Sequence, residues 1–279
     1  MDQILNTTDY CDLPSRGELY AETNPFYKKD RIPFHDMTAR EEDIMANKTL
    51  LKNGVAFDRV LQSVSETPNA DINDLTISDK QALLMRVRIN SYGPEYKISL
   101  KCPECGLRQN LVVNLQESLD NALKFVKPID ETLVFYKDCE LARISHDVFS
   151  FVTRHNKHKI VFRVGHGADE HTMFRMEEKK NRERSKGVVP KEDIDRGAVL
   201  DTFKMFIISI NGIEEKGKLA QMIEGLHTRD TYHIREVFRE VSCQFKMMTT
   251  FTCLNEENCG YEHEVEVPLN ANFFRPDFE

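Results

Sequence analysis

Two short stretches of this sequence, Cys102-Pro103-Glu104-Cys105-Gly106 and the run from Cys253 through Cys259 to Gly260, carry residue types at spacings that could do chemistry. A pair of thiolates at the tip of a hairpin, a knuckle, supplies half of a tetrahedral zinc site, in which sulfur ligands bind at about 2.3 Å. Neither pair closes such a site alone. Together Cys102, Cys105, Cys253 and Cys259 do, and the expectation is one structural Zn2+ ion held between distant parts of the chain. The first pair is the stronger signal, because its glycine permits the turn that lets backbone amides face the sulfurs. The second has a loop longer than the usual spacing of about two to four residues. His263 is an alternative ligand in place of one thiolate, and unliganded reduced thiols or a redox role are the competing readings.

Other chemistry finds less support. Cys139 and Cys243 sit in apolar patterns and read as small core residues, while Cys11 says little. His146, His155, His158, His166 and His171 fall close together, and Arg154-His155-Asn156-Lys157-His158 superficially fits a His-Asn nuclease bracketed by cysteine pairs. That chemistry needs both pairs beside one compact hairpin and helix, whereas residues 106–252 separate these. Scattered surface histidines are the simpler reading, and Gly165-His166-Gly167 reads as a turn. No glycine-rich phosphate loop, His-Glu-x-x-His helix or nucleophile elbow occurs, so no enzymatic constellation is expected.

The bulk properties narrow the class. Of 279 residues 40% are hydrophobic and 30% charged, enough apolar surface for a sizeable core. The net charge of −8 argues against a phosphate-backbone binder, which needs clustered Lys and Arg. Lys204 interrupts the longest apolar stretch, Phe203 to Ile210, which is far short of the roughly 20 residues of a membrane-spanning helix. The opening MDQILNTTDYCDLPSRGELY lacks the basic start and apolar centre of a signal peptide, so a cytoplasmic origin with reduced cysteines is expected.

The elements that must position the knuckles can be read around them. Thr38-Ala39-Arg40-Glu41 is a capping-box arrangement opening a helix that breaks at Asn53-Gly54, and Phe57 to Val64 forms a second helical piece. Thr76-Ile77-Ser78-Asp79 caps a clearer helix with Leu83, Leu84, Val87 and Arg88 at helical spacing. A turn at Tyr92-Gly93-Pro94 leads to a strand over Tyr96–Lys101, the first knuckle, and a return strand over Gln109–Leu115. The last third repeats this layout. Thr228-Arg229-Asp230 opens a helix carrying Ile234, Val237, Phe238 and Val241, followed by a strand from Gln244 to Thr252, the second knuckle and a return strand from Glu264 to Leu269. Twenty-three positions separate Asp79 from Cys102 and also Asp230 from Cys253; ten separate Cys105 from Leu115 and also Cys259 from Leu269.

The expected fold class is therefore α+β, with helix–hairpin units whose two cysteine knuckles pair into a zinc-ribbon-like site. Residues 1–37, punctuated by Pro14, Gly17, Pro25 and Pro33, read as an extended N-terminal arm that must lie along the rest of the protein or along a partner. Such an arm is expected to depend on docking, with Tyr20 and Phe26 as its anchors. Residues 38–125 form a helical region plus the first knuckle, 126–225 a middle α+β region, and 226–279 the second helix and knuckle, packing on 76–115. Within the middle, Leu133–Phe135, Leu141–Ile144 and Lys159–Val164 look like strands, 170–186 like a solvated charged helix, and Val199–Ile210 like a buried element.

The order of several motifs resembles a known family. Leu13-Pro14-Ser15-x-Gly17-x-x-Tyr20, then Met37-Thr38-Ala39-Arg40-Glu41-Glu42-Asp43, then Arg88-x3-Tyr92-Gly93-x2-Tyr96 leading into Cys-Pro-x-Cys-Gly, resembles the baseplate hub and hub-assembly proteins of contractile-tailed, T4-like bacteriophages. The resemblance covers residues 12–115, is looser over 226–275, where a cysteine-bearing hairpin and Phe273-Phe274 fit, and is missing from the middle. It implies a protein made in the host cytoplasm that binds other baseplate hub and tail proteins without enzymatic turnover, remaining in the virion tail baseplate or leaving after assembly. The alternative from another class is a zinc-ribbon nucleic-acid-binding or transcription accessory protein, which would suit the knuckles. The acidic charge and the lack of a basic, aromatic-rich stripe beside either pair count against it.

Overall fold

The computed structural model describes residues 8–127, 134–136, 139–185, 198–255, 259–267 and 273–274. Strand β1 (Thr8–Asp12) pairs antiparallel with β2 (Arg31–His35), Thr8 opposite His35. Helices α1 (Ala39–Ala46), α2 (Lys48–Lys52) and α3 (Ala56–Val64) follow, then a 3-10 turn over Ile72–Asp74 and the long helix α4 (Ile77–Tyr92). The capping box at Thr38 is formed, with Glu41 returning a bond to the Thr38 amide at 2.9 Å. Asn47 splits the first helical stretch in two by capping α2 with its side chain.

Strands β3 (Glu95–Lys101) and β4 (Arg108–Asn114) make the first hairpin, and Asn114 then caps α5 (Leu115–Leu123). An antiparallel five-stranded sheet occupies the middle, in the order β5 (Val134–Tyr136), β6 (Cys139–Arg143), β7 (Val148–Val152), β8 (Lys159–Arg163), β9 (Ile207–Ile210). Between its last two strands lie α6 (Gly167–Ser185) and α7 (Ala198–Phe206). Helices α8 (Lys216–Glu224) and α9 (Thr228–Val241) lead to the second hairpin, β10 (Met248–Thr252) with β11 (Glu262–Glu266). The architecture is mixed helix and sheet. Two details of the sequence reading shift. The buried element at 199–210 divides into helix α7 and strand β9, and the second hairpin is shorter than expected; the expected return strand's end at Leu269 lies outside the described residues. Strand β7 has no counterpart in the reading, because Phe149, Ser150 and Phe151 are all buried and leave no two-residue alternation to detect.

Two cores share the chain. In one, Phe26, Ile32 and Phe34 of the N-terminal segment meet α3, α4 and the bases of both hairpins, with Phe273 and Phe274 closing it. In the other, the five-stranded sheet packs on α7, α8 and α9 through Phe149, Phe151, Phe162, Phe203 and Phe238. The N-terminal segment wedges between them: Leu19 is buried in the second core and its neighbour Tyr20 in the first.

That placement corrects the expectation of an extended arm, as far as residues 8–37 are concerned. Tyr20 and Phe26 are 2% and 0% exposed, so they anchor the body of this chain instead of a partner. The segment between β1 and β2 is a series of tight turns. At Gly17, with φ of +73°, an added Cβ would lie 2.3 Å from the Lys29 amide nitrogen and 2.6 Å from the Phe26 carbonyl oxygen, so only glycine fits. Proline and aromatic residues without a period suggested a detached arm; irregular turns held by long-range contacts leave the same sequence trace. Deleting residues 12–35 is accordingly expected to unfold the protein.

The entry to α6 is held by ionic contacts. His166 bonds the Asp74 carbonyl at 2.8 Å and lies 3.3 Å from an Asp147 carboxylate oxygen, while Arg163 grips Asp169 with two bonds of 2.7 Å. Burial opposes the charge on His166, but the Asp147 carboxylate and the Asp74 carbonyl outweigh it and raise the imidazole above its usual value. A histidine with a raised folded pKa contributes stability that is full below its unfolded value of about 6.5 and is lost as pH rises through the folded one. In urea titrations, stability is expected to fall as pH rises above the unfolded value of about 6.5, and His166→Gln is expected to flatten that slope.

Candidate metal centre

Each knuckle is built by a hairpin that ends in the same way. The Cys102 amide donates to the Leu107 carbonyl at 2.8 Å, and the Cys253 amide donates to the Tyr261 carbonyl at 2.8 Å. In both cases the acceptor lies two residues past the second cysteine of the pair. Gly106 and Gly260, with φ of +76° and +58°, follow that cysteine and occupy the left-handed region that the reversal needs. The Gly106 amide returns to the Cys102 carbonyl at 3.0 Å, and the Cys259 and Gly260 amides both turn back to the Asn255 carbonyl. These reversals leave the amides of Glu104 and Cys105 facing the Cys102 sulfur, that of Asn255 facing Cys253 and that of Tyr261 facing Cys259.

The two hairpins meet at their tips. Sγ of Cys102 is 3.7 Å from Sγ of Cys259, and Sγ of Cys105 is 3.6 Å from Sγ of Cys253. All four sulfurs lie within 4.8 Å of one another. A disulfide would bring two of them to about 2.05 Å, and all four are free thiols. Sulfurs placed about 2.3 Å from a central ion at tetrahedral angles would be about 3.8 Å apart. The observed pairs match that edge, so the donor set and its spacing fit a single four-coordinate metal ion. Cys102 and Cys253 are buried, Cys259 is half-buried and Cys105 is exposed, so the centre lies at the surface of its own small apolar cluster of Phe251, Leu100, Tyr261 and Val265.

The thiols are electrostatically linked. Burial works against ionisation of Cys102, yet the amides of Cys105 and Glu104 and the neighbouring thiols hold it down at about 7. For Cys253 the Asn255 amide favours the thiolate, but burial and the thiols of Cys105, Cys102 and Cys259 push it up to about 12. One thiol ionises readily and the next do so against a charge already present. A divalent cation removes that conflict by compensating the accumulated negative charge.

Gln109 fastens the two hairpins beside the sulfurs. From β4 its side-chain amide donates to the Thr252 carbonyl at 2.7 Å and accepts from the Leu254 amide at 2.9 Å, completing a backbone pair on the other hairpin. The sequence reading missed this residue, since a glutamine two positions into a return strand carries no signal of a clamp. His263, the alternative ligand, is not among the clustered donors. Its ring packs on Phe251 and Tyr261, with centroids 5.3 and 4.9 Å away. Cys139 and Cys243 are buried core residues, as their apolar surroundings suggest, and so is Cys11. Among the described residues, the central histidines join no metal-binding group of three or more donors.

Helices α4 and α9 place the hairpins. Ser78 near the start of α4 donates its hydroxyl to the Ser242 carbonyl past the end of α9 at 2.7 Å. Asp79 and Asp230, the residues whose spacing to the cysteines matched, are both fully buried, and each anchors its helix to a loop. Asp79 accepts from the Ser15 amide and hydroxyl and the Tyr20 hydroxyl; Asp230 accepts from the His155 and Asn156 amides. Sequence reading took Asp79 for part of a helix cap, which it also is, through a 3.2 Å bond from its amide to the Thr76 hydroxyl.

Compared with known protein families, the chain matches the family model described as T4 bacteriophage base plate protein over residues 6–275, nearly its whole length. No curated protein and no solved structure matches.

Proposed function

The chain belongs to the T4 bacteriophage base plate protein family, and on that premise we propose that it serves the baseplate hub, as a hub subunit or as a factor that assembles it. Membership makes it a structural protein of a phage tail baseplate that interacts with other tail and baseplate proteins. The hub assignment is supported by the ordered motifs of residues 12–115, which resemble hub and hub-assembly proteins. The role is binding, and no catalytic residue is assigned. No helix among the described residues is long and apolar enough to cross a membrane.

Within that role we assign one Zn2+ ion to Cys102, Cys105, Cys253 and Cys259 as a ribbon-like staple. The observation that carries it is the meeting of four sulfurs from hairpins separated by the whole middle sheet. When bound, zinc would supply a fixed tetrahedral cross-link; the protein supplies the Glu104, Cys105, Asn255 and Tyr261 amides beside the sulfurs and the Gln109 clamp that holds the hairpins together. Such a centre ties the flanks of the middle region together, so that the surface offered to partners has one shape.

An amber mutant of the gene is expected to accumulate unassembled hubs or tails in infected-cell lysates while phage DNA replication proceeds normally. Electron microscopy of those lysates is the measurement. Normal contractile tails with intact baseplates would contradict the hub role.

A further inference from the structure

Arg88 shows how this protein holds a returning aromatic segment. It stands one turn before the end of α4, 1% exposed. Its Nε donates to the Phe273 carbonyl at 2.5 Å, and its two Nη groups donate to the carbonyls of Gly93 and Glu95 at 2.9 and 3.2 Å. The Phe273 ring lies 5.7 Å from the guanidinium and edge-on to Tyr96 at 5.2 Å. One arginine therefore reads both a backbone carbonyl and an aromatic face.

The second helix–hairpin unit has an arginine at the matching place, and among the described residues no such segment lies on it. Arg239 follows buried Asp230 by nine positions, as Arg88 follows buried Asp79, and stands close to the end of α9. Arg239 is exposed and lines a cleft of about 440 Å³. The floor of the cleft is aromatic (Phe203, Phe206 and Phe238), and its rim carries Tyr232, 58% exposed, and Arg235. Such a volume falls within the range of about 300–1,000 Å³ typical of ligand sites.

The charges select the occupant. Among the described residues, neither Arg235 nor Arg239 has a carboxylate partner, whereas Lys246 across the cleft is answered by Glu266 at 2.6 Å and Glu236 lies 4.0 Å from Arg154. Two unneutralised guanidinium groups above an aromatic floor are a local exception on a chain of net charge −8. The acidic body of a second copy would bring overall like-charge repulsion, while a short acidic segment would bring attraction.

We propose that this cleft docks an extended segment of a partner baseplate protein that presents a phenylalanine or tyrosine beside an aspartate or glutamate. The ring lies on Phe206 and Phe238, and the carboxylate bridges Arg235 and Arg239. Only the partner's being a baseplate component rests on the role proposed above; the chemistry of the segment does not.

A random 12-residue peptide library displayed on an unrelated carrier and selected against the full-length protein tests it. The expected consensus has one aromatic residue with Asp or Glu within two positions. Fluorescence anisotropy of a selected peptide should show binding weakened by about tenfold or more by Arg239→Glu, and progressively by salt. Arg229→Glu, exposed on the same helix and outside the cleft, should leave binding unchanged, and circular dichroism should show both variants folded. A consensus lacking aromatic or acidic residues, no enriched sequence, or binding indifferent to Arg239→Glu would overturn the proposal. So would a dimer in sedimentation that Arg239→Glu dissolves, which would make the cleft a contact between copies. Failure of the hub assignment would instead appear in the amber-mutant lysates and leave the peptide consensus intact.

Discussion

Cys102→Ser is expected to yield protein without bound zinc and with a melting temperature lower by about 10 °C or more. A structural zinc site contributes to folding directly, with apparent binding energies of about 10–16 kcal/mol in small zinc-dependent folds. In a chain of this size each kcal/mol moves the melting temperature by roughly 2–4 °C. Even a loss of several kcal/mol would therefore be plain in calorimetry. Cys102 is the informative position because it is buried between the hairpins, with its sulfur 3.7 Å from that of Cys259. A serine there withdraws a ligand and leaves three crowded thiols without their counter-charge. Chelation of the wild-type protein should reproduce the shift, and the same chelator should leave Cys102→Ser where it already was. A variant that melts with the wild type and still carries one zinc would contradict the staple.

The second large effect lies outside the metal centre. Asp79→Ala is expected to destabilise the protein by about 3–5 kcal/mol in urea titrations, because the buried donors of Ser15 and Tyr20 would be left unpaired at about 1–3 kcal/mol each. Asp79 is wholly buried and accepts from the Ser15 amide at 2.9 Å and from the hydroxyls of Ser15 and Tyr20 at 2.5 Å. Those hydroxyls are themselves occupied: Ser15 accepts from the Gly17 amide and Tyr20 from the Thr76 amide. One carboxylate thus fastens the N-terminal segment to α4. Asp230→Ala should cost less. Its two amide bonds are longer, 3.2 and 3.3 Å, and its other carboxylate oxygen accepts no hydrogen bond among the described residues. Equal losses for the two variants, or a loss below about 1 kcal/mol at Asp79, would contradict this reading.

The meeting of the four cysteines was legible in the sequence because its determinants are local. A cysteine pair, a glycine two-thirds of the way round a reversal and an alternating strand on each side leave their marks within about fifteen residues. The repeat in spacing was legible for the same reason, since helix length and strand length set it. The N-terminal segment was not, because Ser15, Gly17 and Tyr20 take their positions from a carboxylate sixty residues away and have no period of their own. The sequence marks one face of helix α4, with Leu83, Leu84, Val87 and Arg88 at helical spacing, yet the helix has no exposed position, and Ser78, Asp79 and Lys80 are buried along with Arg88. Each of these polar residues has a specific partner, which no helical period announces: Lys80 lies between Asp58 and Glu170, and Arg88 reaches Phe273.

The most direct measurement is metal content and zinc-edge X-ray absorption on the purified wild-type protein. One zinc per chain with a first shell of four sulfurs at about 2.3 Å is the predicted result. Protein that is folded and metal-free, or a first shell containing nitrogen or oxygen, would contradict the four-cysteine centre.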